Sequence, residues 1–284
     1  MDEGLKSFLE KTNEDVVVQI KEATKRNGEY TTPYSIGYQA FDKVMMGGVR
    51  EGDLVIGTGQ SGEGKTLWYS NITNNLLKKN LGCVWFSYEV IIDNLYAKFM
   101  AMNKEIDSLN IYTPKQMNSG NLEWIQVKIK ESIETFGVKF IFIDHIDYLT
   151  PKNTTNAEQR RIMLRDICSE LKTIAINYQV VIFLIAHIRK VFGRAVILQD
   201  ITESKSIGDL ADYVFSVSRN SITKKINGIK TEVFGDHSTI RLLKNRLTGE
   251  RASMNYLVEN NIIKPLEDIE PVPYDDRDVS SIEF

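Results

Sequence analysis

The feature that most constrains this chain is the run Gly59-Gln60-Ser61-Gly62-Glu63-Gly64-Lys65-Thr66. It satisfies the pattern glycine, four residues of any kind, glycine, lysine, then serine or threonine. Its flanks matter as much as its letters. Asp53 to Thr58 reads as a short buried strand, and Leu67 to Ile72 opens an apolar, helix-compatible run. A strand feeding a glycine-rich turn and then a helix aims several backbone N–H groups at one point, where the helix dipole adds positive potential. Gly59 and Gly64 let the backbone close around phosphate oxygens without a Cβ in the way. Ser61, Gly62 and Glu63 complete the turn, and Leu67 continues the helix behind it. In this arrangement Lys65 reaches the β- and γ-phosphates of ATP or another nucleoside triphosphate, and the Thr66 hydroxyl ligates Mg²⁺.

At 284 residues the chain has room for one large α/β domain or two small ones. Its net charge of −3 gives no bulk basicity. A ring or filament can still concentrate positive charge on one surface, so nucleic acid is not excluded as a partner. Cys83 and Cys168 lie far apart in apolar stretches and match no metal spacing, which predicts reduced, buried thiols. The N-terminus has neither an apolar signal core nor an arginine-rich transit pattern. No apolar run approaches bilayer length. The expectation is a soluble, cytoplasmic protein with no membrane partner, in the host cytoplasm if the source is viral.

Taken in order, residues 1–28 read as helical, with Leu5, Phe8 and Leu9 on one stripe, Val16, Val17, Ile20 and Ala23 on another, and Asn27-Gly28 as a stop. So short an amphipathic segment must dock, either on its own domain or on a neighbouring subunit. Residues 29–266 read as one ATPase domain. Gly82 to Glu89 is a buried strand ending in an acid, and carboxylates at strand C-termini of a parallel sheet border the ligand crevice. Glu89 is therefore a candidate general base or an ordinary strand-end acid. The stretch from Asp93 to Asn121 is mixed and mostly helical, and an amphipathic helix follows from Leu122 to about Phe136. Lys139 to His145 is a strand of four apolar residues closed by Asp144, the expected partner of Mg²⁺. A helix over 155–177 leads to a fully buried strand ending at His187. The polar segment from Ile188 to Gly208 carries Arg189, Lys190, Arg194 and Lys205 against Asp200 and Glu203, and suits either a phosphate-backbone contact or a solvated loop. A strand at Tyr213 to Val217 runs toward Arg219, a hairpin turns at Asn227-Gly228, and the strand from Ser238 carries Lys244 and Arg246 at its end. Two short strands finish the sheet. The tail 267–284 holds seven acids against Arg277 alone and reads as disordered. Strands alternating with helices imply an α/β fold: a mostly parallel sheet flanked by helices, with antiparallel strands at its C-terminal side.

With these motifs in this order, the chain resembles the ring-shaped replicative helicases of the DnaB type, with their RecA-like ATPase core, over roughly residues 30–265. Phe86-Ser87-Tyr88-Glu89 is similar to that family's strand bearing the catalytic glutamate, and Phe142 to Leu149 to its Mg²⁺ strand. Ile185-Ala186-His187-Ile188-Arg189-Lys190 is closer to phage primase-helicases and the Twinkle helicase, which carry His where bacterial members carry Gln. Asp200 to Ile207 is similar to the DNA-binding loop, and Leu243 to Gly249 to the strand supplying basic residues to the neighbour's ATP. The resemblance implies Glu89 as general base, His187 as γ-phosphate sensor, and Lys65, Lys244 and Arg246 as charge stabilisers. It implies Arg219 beside the nucleotide with the loop residues, and Thr66 with Asp144 on Mg²⁺. DNA contacts fall to Arg189, Lys190, Arg194, Thr202, Glu203, Ser204 and Lys205. Two of these depart from the family, which usually has Gly at the position of Lys205 and Arg at that of Thr202. The partners implied are single-stranded DNA at a replication fork and five further copies in a homo-hexamer, with primase, polymerase or a single-strand-binding protein as further candidates. The acidic tail ending in Phe284 fits such a contact or a purely solubilising role.

Two rivals share this core: a recombinase-like, strand-pairing filament and a clock- or signalling-type ATPase with no DNA motor role. The Lys244-x-Arg246 strand and the Asp200 to Lys205 loop favour the helicase. The signalling class usually carries paired acids after the second strand, whereas Glu89 is followed by Val90.

Overall fold

The computed structural model describes residues 25–26, 29–30, 32–104, 110–118, 121–150, 156–188, 195–201, 205–226 and 229–266, with side chains left aside at 25–26, 29–30, 205–207, 220–226 and 229–236. Contacts divide the chain into 1–32 and 33–284. In the first unit, β1 (Lys25–Arg26) pairs antiparallel with β2 (Glu29–Tyr30), Arg26 opposite Glu29. The end of the segment expected to be helical is thus extended. Asn-Gly stops a helix but is also a favoured two-residue hairpin connection, and here strand pairing follows it. The rest of that segment and the acidic tail lie outside the described residues.

In the second unit one nine-stranded sheet runs in the order β11-β10-β9-β8-β3-β7-β6-β4-β5. Its parallel part comprises β3 (Leu54–Gly59), β4 (Cys83–Ser87), β5 (Ile111–Tyr112), β6 (Phe140–Asp144), β7 (Val181–His187) and β8 (Tyr213–Ile226). On the other side of β8, β9 (Ile229–Asn245), β10 (Ala252–Glu259) and β11 (Ile262–Pro265) add antiparallel. This is the mostly parallel α/β sheet with C-terminal antiparallel strands that the alternation of elements predicts. One short edge strand, β5, falls inside the stretch expected to be mostly helical; two residues paired to Cys83 and Val84 are too few to show a period.

The helices are α1 (Gln39–Val44), α2 (Lys65–Leu77), α3 (Ile92–Met102), α4 (Leu122–Phe136), α5 (Ala157–Tyr178) and α6 (Lys205–Leu210). Strand residues alternate between two buried clusters, one on each face of the sheet. Val55, Trp85, Phe142, Phe183 and Phe215 pack toward α1, α2 and α3, while Ile56, Phe86, Ile143 and Leu184 pack toward α4 and α5. Both faces are covered, which is why the strands read as continuous apolar runs. Trp85, Phe142 and Phe183 sit opposite one another on adjacent strands and stack at 4.9 and 4.7 Å between ring centroids. This aromatic ladder locks the register of the three strands whose ends carry the site.

Helix α2 is buried on nearly every face. Its inward polar side chains turn back on the helix: Ser70 Oγ donates to the Thr66 carbonyl at 2.7 Å and Thr73 Oγ1 to that of Tyr69 at 2.9 Å. Asn71 Nδ2 also donates to the Asn261 carbonyl, and its Oδ1 accepts from Ile263 N–H, both at 2.9 Å, which fastens α2 to the turn between β10 and β11.

Candidate functional site

The parallel registers bring the carboxyl ends of β3, β4, β6 and β7 to one rim. Gly59 lies opposite His187, and Ser87 opposite Asp144. The glycine turn leaves β3 at this rim and enters α2 through Gly64, whose φ of 101° is left-handed. At Gly59 a Cβ would stand 2.4 Å from the Val217 carbonyl oxygen, so only glycine passes between loop and β8.

The loop is tied to itself. Glu63 Oε2 accepts from Gln60 N–H at 3.0 Å, and Lys65 Nζ donates to the carbonyls of Gly59 at 3.0 Å and Gln60 at 2.8 Å. Burial pulls the Lys65 pKa down, opposed by the nearby carboxylates of Glu89, Asp144 and Glu63. Burial likewise raises the Glu63 carboxyl, with Lys65 and Arg219 pulling the other way. Arg219, at the exposed end of this stretch of β8, therefore lies within electrostatic range of the loop.

Thr66 Oγ1 donates to Asp144 Oδ2 at 2.7 Å. Asp144 is completely buried, and its Oδ1 has no hydrogen-bond partner among the described residues. Burial raises its pKa, with the Thr66 hydroxyl opposing and Glu89 adding to the rise. A buried carboxylate oxygen without a partner is costly, and a hard divalent cation shared with the Thr66 hydroxyl would satisfy it. The donors present thus fit Mg²⁺. Glu89 follows β4 by two residues, is nearly half exposed, and borders an open cleft of about 630 Å³ with Ile91, Asn94, Lys98 and Asn261 among its walls.

Two further imidazoles complete the rim. Glu89, His145 and His187 each turn a ligand-capable atom into one space, all within 4.8 Å of one another. His145 was not among the sequence candidates. Its ring lies 4.2 Å from that of His187, edge to face, and its Nδ1 lies 3.1 Å from Asp147 Oδ2. Burial, the His145 ring and Lys65 lower the His187 pKa, so that imidazole is neutral at neutral pH. The only sequence signal for His145 was its place directly after the strand-end Asp144.

Lys244 and Arg246 are not at this rim. Asn245 pairs with Tyr213, which pairs with Val55, so Arg246 lies level with the start of β3. From there to Gly59 is roughly 17 Å at about 3.3 Å of strand rise per residue. Both side chains cap α6 instead: Lys244 Nζ donates to the Gly208 and Asp209 carbonyls at 2.8 and 2.9 Å, and Arg246 Nη2 donates to Asp209. Arg246 also pairs with Asp212 at 3.6 Å, whose other oxygen holds Lys172 Nζ at 2.5 Å. Burial, with Arg246 adjacent, lowers the Lys244 pKa.

Arg189, Lys190, Arg194, Thr202, Glu203 and Ser204 lie outside the described residues, and Lys205 is described only as the first residue of α6. The base of their segment is visible: Ile188, next to His187, bridges antiparallel to Ile201. Among the described residues no helix is long and apolar enough to cross a membrane.

Among solved structures, the chain is similar to a helicase-sized ATPase domain, with a TM-score of 0.70, 17% identity, and coverage of 94% of this chain and 98% of that one. It matches a DnaB-like replicative helicase, described with its interactions with primase, at the same score and identity over 94% of this chain and 67% of that one. Curated relatives include the DNA repair protein RadA of Campylobacter jejuni, 27% identical over 63% of this chain and 37% of that protein. A probable replicative DNA helicase of Trieres chinensis is 26% identical over 66% of this chain and 47% of that protein. The chain thus spans between a third and a half of the curated relatives it matches. The model of the DnaB-like helicase C-terminal domain matches residues 34–130 and 115–264, nearly all of the second unit. On that coverage, the chain belongs to the DnaB-like helicase C-terminal domain family.

Proposed function

We propose that this chain is an ATP-driven motor that moves along single-stranded DNA as a ring of identical subunits and unwinds duplex DNA at a replication fork. The observation that carries the reading is the pairing of Thr66 with a buried Asp144 whose second oxygen lacks a partner, on the same rim as Glu89. Phosphoryl transfer is catalysed mainly by positioning and by stabilising charge on the transferred group. Lys65 leaves its loop carbonyls for the phosphate oxygens, and Glu89 takes the proton of the attacking water. Mg²⁺, held by Thr66 and Asp144, supplies charge neutralisation on the phosphates when bound. Arg219 lies on the nucleotide side of the loop, and His187 reports the γ-phosphate to the basic segment that begins at Arg189. Lys244 and Arg246, at the far edge of the sheet, serve the site of the neighbouring subunit, which is why hydrolysis requires assembly. Basic residues of the segment from Arg189 to Lys205 hold the DNA backbone in the ring's channel. Primase, a polymerase or a single-strand-binding protein are the partners proposed for the assembled machine; the 18-residue tail ending in Phe284 is the candidate contact.

The similarity to RadA favours a second reading, a DNA-repair or recombinase-like filament on the same core. ATP hydrolysis with and without single-stranded DNA, run beside unwinding of a forked duplex, separates the two. DNA-stimulated hydrolysis with unwinding, and rings by electron microscopy, is the expected result. Hydrolysis indifferent to DNA, or helical filaments in place of rings, overturns the helicase.

A further inference from the structure

We propose that His145 is a second catalytic contact on the attacking water, shared with Glu89, and that Asp147 and Arg160 are positioning residues that fix its ring. The proposal rests on the ATP-hydrolysis reading above and adds to it a residue set that begins one position beyond Asp144.

His145 is buried, and its imidazole is held on every side the site does not use. Tyr148 packs against it at 4.8 Å between centroids, and His187 meets it edge to face. Asp147, in the 3-10 turn Ile146–Leu149, places Oδ2 at 3.1 Å from Nδ1, and Arg160 of α5 donates to Asp147 Oδ1 at 2.6 Å. Burial alone would push the Asp147 carboxyl up, but His145 and Arg160 outweigh it and hold the group below its usual range, hence ionised. An ionised carboxylate at that distance favours the tautomer with the proton on Nδ1 over acceptance from the Asp147 backbone N–H at 3.3 Å. Nε2 is then a bare acceptor, and it faces Glu89 Oε2 at 3.9 Å.

That separation is too long for a direct hydrogen bond and suits two acceptors that share a third group. A water donating one O–H to Glu89 and the other to His145 Nε2 has its remaining lone pair turned outward, toward a γ-phosphorus. As the oxygen–phosphorus bond forms and the bond to the leaving oxygen breaks, the proton passes to Glu89. His145 keeps the second O–H fixed, which confines the nucleophile to the attack line.

The test uses the full chain, with single-turnover ATP hydrolysis in the presence of single-stranded DNA and affinity for a fluorescent non-hydrolysable ATP analogue measured in parallel. His145→Ala is expected to lower kcat roughly 10- to 100-fold, short of the loss of a full general base, with analogue affinity within about twofold. His145→Gln, which keeps an acceptor, is expected to recover most of the rate. Asp147→Asn is expected to lower kcat several-fold at unchanged affinity. Two groups that act on one water are not additive, so His145→Ala adds little to Glu89→Gln. Full kcat in His145→Ala, equal loss of kcat and affinity, or a Gln variant no faster than the Ala variant would each overturn the role. Should His145→Ala fail to fold, the Gln and Asp147→Asn variants decide on the same readouts. A wild-type chain without hydrolysis, or a Glu89→Gln chain at full rate, overturns the ATPase reading and this inference together; a slow Glu89→Gln beside a fast His145→Ala overturns this inference alone.

Discussion

At the scale of single residues, the cost of burying polar groups near the sheet can be measured directly. Asp53 caps the Arg50 N–H at 2.6 Å, and its carboxyl is pushed up to about 6 by burial and by Asp212, with Lys172 and Arg50 opposing. A carboxyl whose folded pKa is raised stabilises the fold while protonated, and that contribution is lost as pH rises from the unfolded value through about 6. Asp53→Asn still accepts from Arg50, so it is expected to be more stable than the parent above pH 6 by on the order of 1–3 kcal/mol. Urea unfolding at pH 5 and pH 7.5 checks this, and the gain should shrink at the lower pH. Gly59→Ala is expected to cost about 3 kcal/mol from the contact with the Val217 carbonyl, with loss of nucleotide binding; thermal melting and analogue titration read the two effects. These residues also mark the limit of reading letters. Gly59, Lys65 and Thr66 announce themselves through spacing along the chain. His145 does not, because what gives it a role is its approach to Glu89, set by the pairing of Ser87 with Asp144 across two strands.

At the scale of elements, strands and long helices were legible, because apolar runs bounded by turns leave the backbone few alternatives. Helix α4 keeps its expected bounds for a visible reason: Asn121 accepts from Trp124 N–H at its start, and Gly137 ends it at φ 64°. The short pieces were not legible. Strand β5 exists because the edge of β4 offers it partners, and β1 with β2 forms where a helix end was expected. The joint between α2 and the last hairpin is likewise tertiary. Asn71→Leu leaves the buried Ile263 N–H without its acceptor and is expected to destabilise by about 1–3 kcal/mol. A lower urea midpoint at unchanged slope would be the signature of that loss. The caps on α6 carry a mechanical meaning. The side chains proposed to act on a neighbour hold the carboxyl end of the helix that follows the proposed DNA loop, so a shift of that loop bears directly on Lys244 and Arg246.

At the scale of the molecule, the two ends of one sheet carry two halves of one proposed site. The loop, Asp144, Glu89 and His187 lie at the carboxyl rim, while Lys244 and Arg246 lie at the amino edge. A subunit lacking Lys65 still offers Arg246, and one lacking Arg246 still offers Lys65. Mixing Lys65→Ala with Arg246→Ala chains, each inactive alone, is therefore expected to restore part of the DNA-dependent ATPase, in a fraction that follows the mixing ratio. No recovery at any ratio would mean that each subunit hydrolyses ATP by itself.

The sequence by itself determined the glycine loop, the acid-ended strands, the α/β order and the family, because each is encoded in local spacing and in the apolar period of a single segment. Only the tertiary structure decided which strand ends meet. It left Asp144 with a buried, unpartnered oxygen, drew His145 and Asp147 in behind Glu89, and set Arg246 at the opposite edge from the loop. Those relations depend on strand order and register, and both are fixed by the packing of side chains far apart in the chain.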